Sequence, residues 1–399
     1  MRRKISYDIL KRVLLQKHHA HLLLKELTLP ALDQAFVSAL VYSVLQNKLF
    51  LEYQVNYHIK KKPSNRVYVL LLMGACEALI LDKVPDYAVV NEYVDLAKSL
   101  GFKYQSGFVN KILKQIVMNK AQPITLEGLE KISIEKSVPL WILNLLKAQY
   151  GEEFAIDYAT YIQKEKPIYG WVNRLKYDPK AEDYLNDGIM DPKVFQSNFI
   201  KDSNIIIQDI NSQRVVDLIS LNDGMRVLDC CCAPGTKTLK LANLLNNTGE
   251  IVGVDIAKVR VDMTRELMEN ANVTNATIIE GDATQISFDE PFDVVMVDAP
   301  CSGLGVLSHK HDLRYNIQPK DLDDLEQIQK AILNNVAQYV KKGGSLYYMT
   351  CTLNKKENER QVNEFLKSHS DYECHYEETL NPIESMGDGF YVAHLVRKC

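Results

Sequence analysis

Two cysteines, Cys301 and Cys351, each follow a short apolar run, in the segments Val294-Val-Met-Val-Asp-Ala-Pro-Cys-Ser-Gly-Leu-Gly305 and Ser345-Leu-Tyr-Tyr-Met-Thr-Cys-Thr352. Runs of this length read as buried strands, and ligands gather where the strands of a parallel sheet end. Two thiols delivered there imply one site containing two sulfurs. A lone cysteine is most often a small buried hydrophobe. These two stand among polar residues instead, in Asp-Ala-Pro-Cys and Thr-Cys-Thr, which favours a working thiolate. From the residues alone, either sulfur is eligible as a nucleophile.

A second constellation follows the run Met225-Arg-Val-Leu-Asp229, where Cys-Cys-Cys-Ala-Pro-Gly-Thr-Lys-Thr238 leads into the helical Leu239-Lys-Leu-Ala-Asn-Leu-Leu245. A strand, a Pro-Gly turn and a helix start open a Rossmann-like unit, in which backbone N–H groups face a ligand. Gly-x-Gly-x-x-Gly is absent, and a Walker loop needs glycine before Lys237, where Thr236 stands, so neither NAD nor ATP is favoured. The next run ends at Asp255, placed to accept hydrogen bonds from two ribose hydroxyls. The third ends in Glu280-Gly-Asp282, whose carboxylate suits an adenine amino group, and the fourth in Asp298-Ala-Pro-Cys301. An adenosine-type cofactor held without a diphosphate grip points to S-adenosylmethionine.

The elements that must position these residues change character along the chain. Up to about residue 140 apolar residues recur at three and four, as in Ile9, Val13, Leu14 and Phe36, Leu40, Val44, with no glycine before Gly74, which predicts a helical bundle. Lys60-Lys-Lys-Pro-Ser-Asn-Arg66 connects two helices, and Pro85 opens another. A helical stretch from Pro139 to Lys164 precedes a short mixed segment at 165–200. Thereafter the runs Met225–Asp229, Ile251–Asp255, Ala276–Glu280, Phe292–Asp298 and Ser345–Met349 alternate with helical segments, the pattern of a parallel sheet covered on both faces.

The 399 residues are 46% hydrophobic and 25% charged, an ordinary globular composition with no run long enough to span a membrane and no apolar leader after Met1, so the protein is expected in the cytoplasm. Eight cysteines are too few and too irregular for a disulfide framework, and Cys230-Cys231-Cys232 lacks the gap that lets thiolates share one metal, so no metal site is expected. Residues 1–140 carry 20 Lys+Arg against 12 Asp+Glu, and the remainder 27 against 39. A basic module joined to an acidic one suits the delivery of an enzyme to a polyanion.

Taken in order, Gln208-Asp209, Val227-Leu-Asp-x-Cys231-x-Ala-Pro-Gly-x-Lys-Thr238, Asp298-Ala-Pro-Cys-Ser-Gly303, Thr350-Cys-Thr352 with Glu357-Asn-Glu359, and Asp388-Gly-Phe390 resemble the bacterial RNA cytosine-5 methyltransferases of the RsmB/Sun (Fmu) type, related to the eukaryotic Nop2/NSUN group. Val84-Pro-Asp-Tyr-Ala-Val-Val-Asn-Glu92 and Gly107-Phe-Val-Asn-Lys-Ile-Leu113 are similar to the NusB-type RNA-binding domain. The resemblance covers nearly the whole chain. It implies an α/β fold: a class I (Rossmann-like) methyltransferase domain with a mixed, mostly parallel seven-stranded sheet at 201–399, an all-α NusB-like bundle at 1–138, and a linker with a small mixed subdomain at 139–200.

The same resemblance implies methyl transfer from S-adenosylmethionine to C5 of a cytosine in 16S rRNA, cytosine 967 in standard numbering, by a chain acting as a monomer without an obligate protein partner. It assigns cofactor contacts to Cys231, Cys232, Ala233, Pro234, Gly235, Thr236, Lys237, Asp255, Asp282 and Asp298. Cys351 becomes the nucleophile, Cys301 the group aiding product release, and Asp298 a hydrogen-bond partner of the ring N3 edge. DNA enzymes of similar chemistry place their nucleophile in a Pro-Cys segment, which keeps Pro300-Cys301 in competition. The alternatives are a tRNA or another rRNA cytosine as substrate, or a non-catalytic NusB-like RNA-binding factor. Thr236 stands where the family usually has a second glycine; Gln46 and Trp171 replace arginines, Val273 stands where an arginine is common, and Ser308-His-Lys-His-Asp312 replaces a basic, proline-containing stretch.

Overall fold

The computed structural model describes residues 1–81 and 85–399, so Val84 of the NusB-like match lies outside the described residues. The chain packs as two units, Met1–Lys164 with Leu307–Gln318, and Glu165–Val306 with Pro319–Cys399. These limits differ from the expected divisions after residues 138 and 200. Residues 139–164 join the bundle because their helices, Leu140–Tyr150 and Glu152–Tyr161, bury Ile142, Leu143, Leu146, Ala155 and Tyr158 there, and because Gln163 exchanges amide hydrogen bonds with Gln46 at 3.2 and 3.3 Å.

The second unit is built on a seven-stranded sheet of β1 (Arg226–Cys230), β2 (Glu250–Asp255), β3 (Ala276–Glu280), β4 (Phe292–Asp298), β5 (Val340–Thr350), β6 (Tyr372–Leu380) and β7 (Phe390–Arg397). The order is β6-β7-β5-β4-β1-β2-β3, with β1 to β5 parallel and β7 antiparallel to both its neighbours. The strands read as apolar runs because both faces are covered: Val295, Val297, Leu346 and Tyr348 pack into one core, and the alternate residues Val294, Met296, Tyr347 and Met349 into another. Helices Thr236–Leu244, Lys258–Asn270 and Pro319–Ala337 make the crossovers. The strand order reverses direction at β1, between β2 and β4, which is where an open α/β sheet opens a crevice. β5 begins five residues before the expected Ser345. A register shift between Phe292 and Val294 lets the polar Lys341-Lys-Gly-Gly344 stretch extend the strand.

Ahead of the sheet, Gly170–Val172 pairs antiparallel with Ile205–Ile207, and Leu185–Asn186 with Ile189–Met190. This is the small mixed piece that the sequence suggests, and it packs with the second unit.

In the first unit, helix Asn65–Cys76 is buried on every side from Val67 to Cys76, so it forms the centre of the bundle. Glu77, in the π-turn that continues it, accepts hydrogen bonds from Arg3 and from Tyr93 (2.6 Å). The segment Leu307–Gln318 packs in the same unit around the fully buried Arg314. No carboxylate meets this guanidinium among the described residues. It donates instead to the carbonyls of Leu307 (2.9 Å), Ile162 (3.3 Å), Gln46 and Ser137 (both 3.4 Å), the last three lying at or just past the C-terminal ends of three helices. Those helix ends carry partial negative charge, so the cation is compensated by aligned dipoles. The neighbouring His311 is held neutral, its pKa driven down to about 3 by burial and then by Arg314. No described helix is long and apolar enough to cross a membrane.

Candidate active site

β4 and β5 are parallel neighbours with Asp298 opposite Met349, so the loops that leave them travel side by side. Ala299 N donates to Met349 O (2.9 Å) and Gly305 N to Cys351 O (3.0 Å), a lacing that continues the sheet beyond its strands. The result is a separation of 3.2 Å between the Sγ atoms of Cys301 and Cys351, both of them partly buried. Cys301 is held protonated: its hydrogen bond with Cys351, burial and the Cys351 charge push its thiol well above the usual range.

Lys237, in the first turn of helix Thr236–Leu244, places Nζ 2.7 Å from Asp298 Oδ2 and 5.2 Å from the centre of the Phe390 ring. Burial alone would lower its pKa, but Asp298 and then Cys351 more than reverse this, so the ammonium stays charged. Lys237 therefore braces the β4 acid rather than closing its own helix, a role its position after a turn does not reveal. Phe390 begins β7, which explains why Asp388-Gly-Phe390 belongs with this site.

The loop between β1 and that helix is shaped by Cys231 (φ 63°) and Gly235 (φ 100°). A Cβ on Gly235 would lie 2.7 Å from Thr264 Cγ2, so glycine is required there for space and conformation alike. Thr236 is already the first helical residue, without positive φ, so the position never needed a second glycine. Gly235 offers no side-chain cap, which leaves the first-turn N–H groups facing outward. Cys232 points into the core with Leu239 and Val261, so only its backbone faces the loop; Cys231 is partly buried, Ala233 half-buried and Pro234 exposed.

The other strand-end acids differ in setting. Asp255, 2% exposed, accepts from Ala257 N (3.0 Å) and Ala233 N (3.4 Å) and pairs with Arg260 (2.8 Å). Asp282 accepts from the backbone and hydroxyl of Thr284, bonds that hold its carboxyl below the usual range. Beneath the loop, Asp229 is fully buried with Oδ2 bonded to Thr238 (2.6 Å) and no partner for Oδ1. Burial, reinforced by the Asp298 charge, raises its pKa to about 7.

Two features of the site have little signal in the sequence. Gly305 is clasped between strands: a Cβ there would lie 2.0 Å from Gly389 O and 2.8 Å from Cys351 O. Glu357, although inside a quoted motif, proves fully buried under both cysteine loops. The closely spaced Gly303 and Gly305 hint at the first, whereas the second depends on contacts 55 residues apart.

Comparison with known proteins gives a consistent result. The model of the family described as 16S rRNA methyltransferase RsmB/F matches residues 216–396, and that of the NusB family residues 1–118. The "Probable ribosomal RNA small subunit methyltransferase B" of Bacillus subtilis is 30% identical over 93% of this chain and 89% of its own length. The "Ribosomal RNA small subunit methyltransferase B" of Proteus mirabilis is 26% identical over 92% and 91%. Among solved structures, that titled "Crystal Structure of PH0851" superposes with a TM-score of 0.82 at 21% identity over 98% of both chains. NSun6 from Pyrococcus horikoshii, determined with SFG, gives 0.57 at 18% identity over 64% of this chain and 97% of its own.

Proposed function

The chain belongs to the RsmB/F family of 16S rRNA methyltransferases, and from that premise we propose that it transfers a methyl group from S-adenosylmethionine to C5 of a cytosine in 16S rRNA, cytosine 967 in standard numbering, through a bond between Cys351 and C6. The observation that carries the reading is the pair of sulfurs 3.2 Å apart beside the Lys237–Asp298 ion pair.

The donor set fits the cofactor. A glycine-cornered loop opens onto the uncapped first turn of a helix, and carboxylates stand at the ends of β2 and β4 with Asp282 just beyond β3, an arrangement for hydroxyls and amines rather than phosphates. Bound there, S-adenosylmethionine supplies an electrophilic methyl group. Cys231 through Lys237 would line its loop, with Asp255 toward the ribose and Asp282 toward the base. NSun6, similar in fold, was determined with SFG, an analogue of this cofactor.

C5 of cytosine is a poor nucleophile until a thiolate adds at C6 and converts the ring to an enamine. Cys351 is the sulfur for this step, because Lys237 lies close enough for their charges to interact, whereas the Cys301 thiol, hydrogen-bonded to Cys351, is pushed up. Water protonates N3 as the thiolate adds, and Asp298, braced by Lys237, accepts the N3–H hydrogen bond and stabilises the adduct. C5 then forms its bond to the methyl carbon as the sulfonium bond breaks. Water takes up the C5 proton, the C5–C6 double bond re-forms as the Cys351 thiolate is expelled, N3 returns its proton to water, and the protonated Cys301 receives the thiolate's charge by hydrogen bonding. The base must leave its stack to reach these groups, at a cost of a few kcal/mol. The basic bundle grips the RNA meanwhile.

Tritiated cofactor and 16S rRNA from a strain lacking the gene test the reading. One cytosine should take the label and then resist bisulfite conversion. Label in tRNA with none in 16S rRNA would overturn the substrate, and no calorimetric heat with millimolar S-adenosylmethionine would favour a non-catalytic RNA-binding factor.

A further inference from the structure

Glu357 is fully buried, and its two oxygens meet four donors and, among the described residues, no cation. Oε1 accepts from Ser302 N (2.8 Å) and Gln329 Nε2 (3.0 Å), and Oε2 from Ser302 Oγ (2.5 Å) and Asn354 Nδ2 (3.0 Å). Ser302 follows Cys301, whereas Asn354 turns back onto Thr352, the residue after Cys351, through a bond from Asn354 N to Thr352 Oγ1 (3.2 Å). The ring closes where Ser302 Oγ and Thr352 Oγ1 meet at 2.7 Å. Gln329 adds a second hold on the Cys301 loop through Pro300 O (2.9 Å). A carboxylate taken out of water costs several kcal/mol unless its lone pairs are filled, so a buried acid with every partner a donor marks a point where geometry has been fixed at some expense.

We propose that Glu357 is the positioning residue of the two-thiol site, a single anion that pins the Cys301 and Cys351 loops to each other and so sets the spacing of their sulfurs. The inference rests on the reading of Cys301 and Cys351 as partners in methyl transfer. Glu357 touches neither substrate nor reacting sulfur; it acts through Ser302, Thr352 and Asn354. Its negative charge also faces Cys301, where it adds to the influences of the Cys351 hydrogen bond and burial that keep that thiol protonated. Lys237, near Cys351, is the opposing charge, so the anion and the cation bias the two thiols in opposite directions. Glutamine in place of Glu357 would turn an amide N–H toward two existing donors, and Asn354→Asp in addition would supply an acceptor for it.

The test uses the full-length parent, Glu357→Gln, the double variant Glu357→Gln/Asn354→Asp, and Gln329→Leu as a milder disturbance of the same knot. The thiol oxidant diamide is added without RNA, and the rate at which it takes two electrons and two protons to join Cys301 and Cys351 is followed by mass spectrometry. Misplacing reacting groups by about 1 Å costs about 10²-fold, so Glu357→Gln should lower both the cross-linking rate and kcat by roughly that factor, with KM for S-adenosylmethionine unmoved and the double variant restoring both. Gln329→Leu should fall between. Parent-like cross-linking and kcat in Glu357→Gln, or in Gln329→Leu should Glu357→Gln fail to fold, would overturn the proposal, as would a double variant no better than the single. A parent that cross-links readily but methylates no RNA would instead sink the functional reading and leave the role of Glu357 in spacing the sulfurs intact.

Discussion

Asp229, buried beneath the loop, limits stability at the alkaline end. Its folded pKa of about 7 exceeds the ordinary carboxyl value near 3.8, so between those limits the folded protein holds a proton that the unfolded chain has released. Stability therefore falls as pH rises through this window, by at most about 1.4 kcal/mol per unit from this group. Asp229→Asn, which cannot ionise, should gain on the parent in urea midpoint from pH 5 to pH 8; a gap independent of pH would mean that Asp229 is already ionised when folded. Gly305 makes a different demand, because the atoms a methyl group would strike are backbone. Gly305→Ala should cost roughly 1–3 kcal/mol and most of the methyl-transfer activity, as seen by thermal melting and initial rates; near-parental rates would show that the loops can part. At this scale the sequence was a fair guide to which side chains gather and a poor one to their supports. Cys301, Cys351 and Asp298 could be grouped because each follows a strand end, and strand ends converge. Glu357 and the partner of Lys237 could not, since those contacts exist only after distant loops have been laid together.

Among the elements, the parallel strands were legible because burial on both faces writes them as unbroken apolar runs, and β4 falls on its expected residues. β5 was read short because Lys341-Lys-Gly-Gly344 looks like a turn until a register shift absorbs it. The destination of Leu307–Gln318 was illegible: nothing local tells that a segment between β4 and β5 packs with the helical bundle. Arg314 explains the attraction, since three helix ends present carbonyls to one guanidinium. Arg314→Met keeps much of the volume and removes the donors, so it should destabilise the helical unit by roughly 2–4 kcal/mol and speed hydrogen exchange at the ends of helices Ala31–Gln46 and Glu152–Tyr161. Melting within about 0.5 kcal/mol of the parent would show that the carbonyls find other partners.

For the molecule as a whole, charge separates along the chain, basic residues predominating up to 140 and acidic ones after it. Lys60, Lys61 and Lys62 are exposed between helices Lys48–His58 and Asn65–Cys76, a loop suited to phosphates. Replacing all three by alanine should weaken binding to 16S rRNA and flatten the slope of log K against log salt by about 2, whereas an unchanged slope would place the RNA elsewhere. The change in periodicity marks where helices give way to strands, whereas the helical stretch at 139–164 carries no mark of which core it will join. In the function proposed, a cytosine of the bound RNA is attacked by one particular sulfur. That is measured most directly by incubating Cys301→Ala and Cys351→Ala proteins with S-adenosylmethionine and 16S rRNA and resolving them on a denaturing gel. A protein–RNA adduct should persist in Cys301→Ala and be absent from Cys351→Ala; an adduct formed by Cys351→Ala and lost in Cys301→Ala would rule out attack by Cys351.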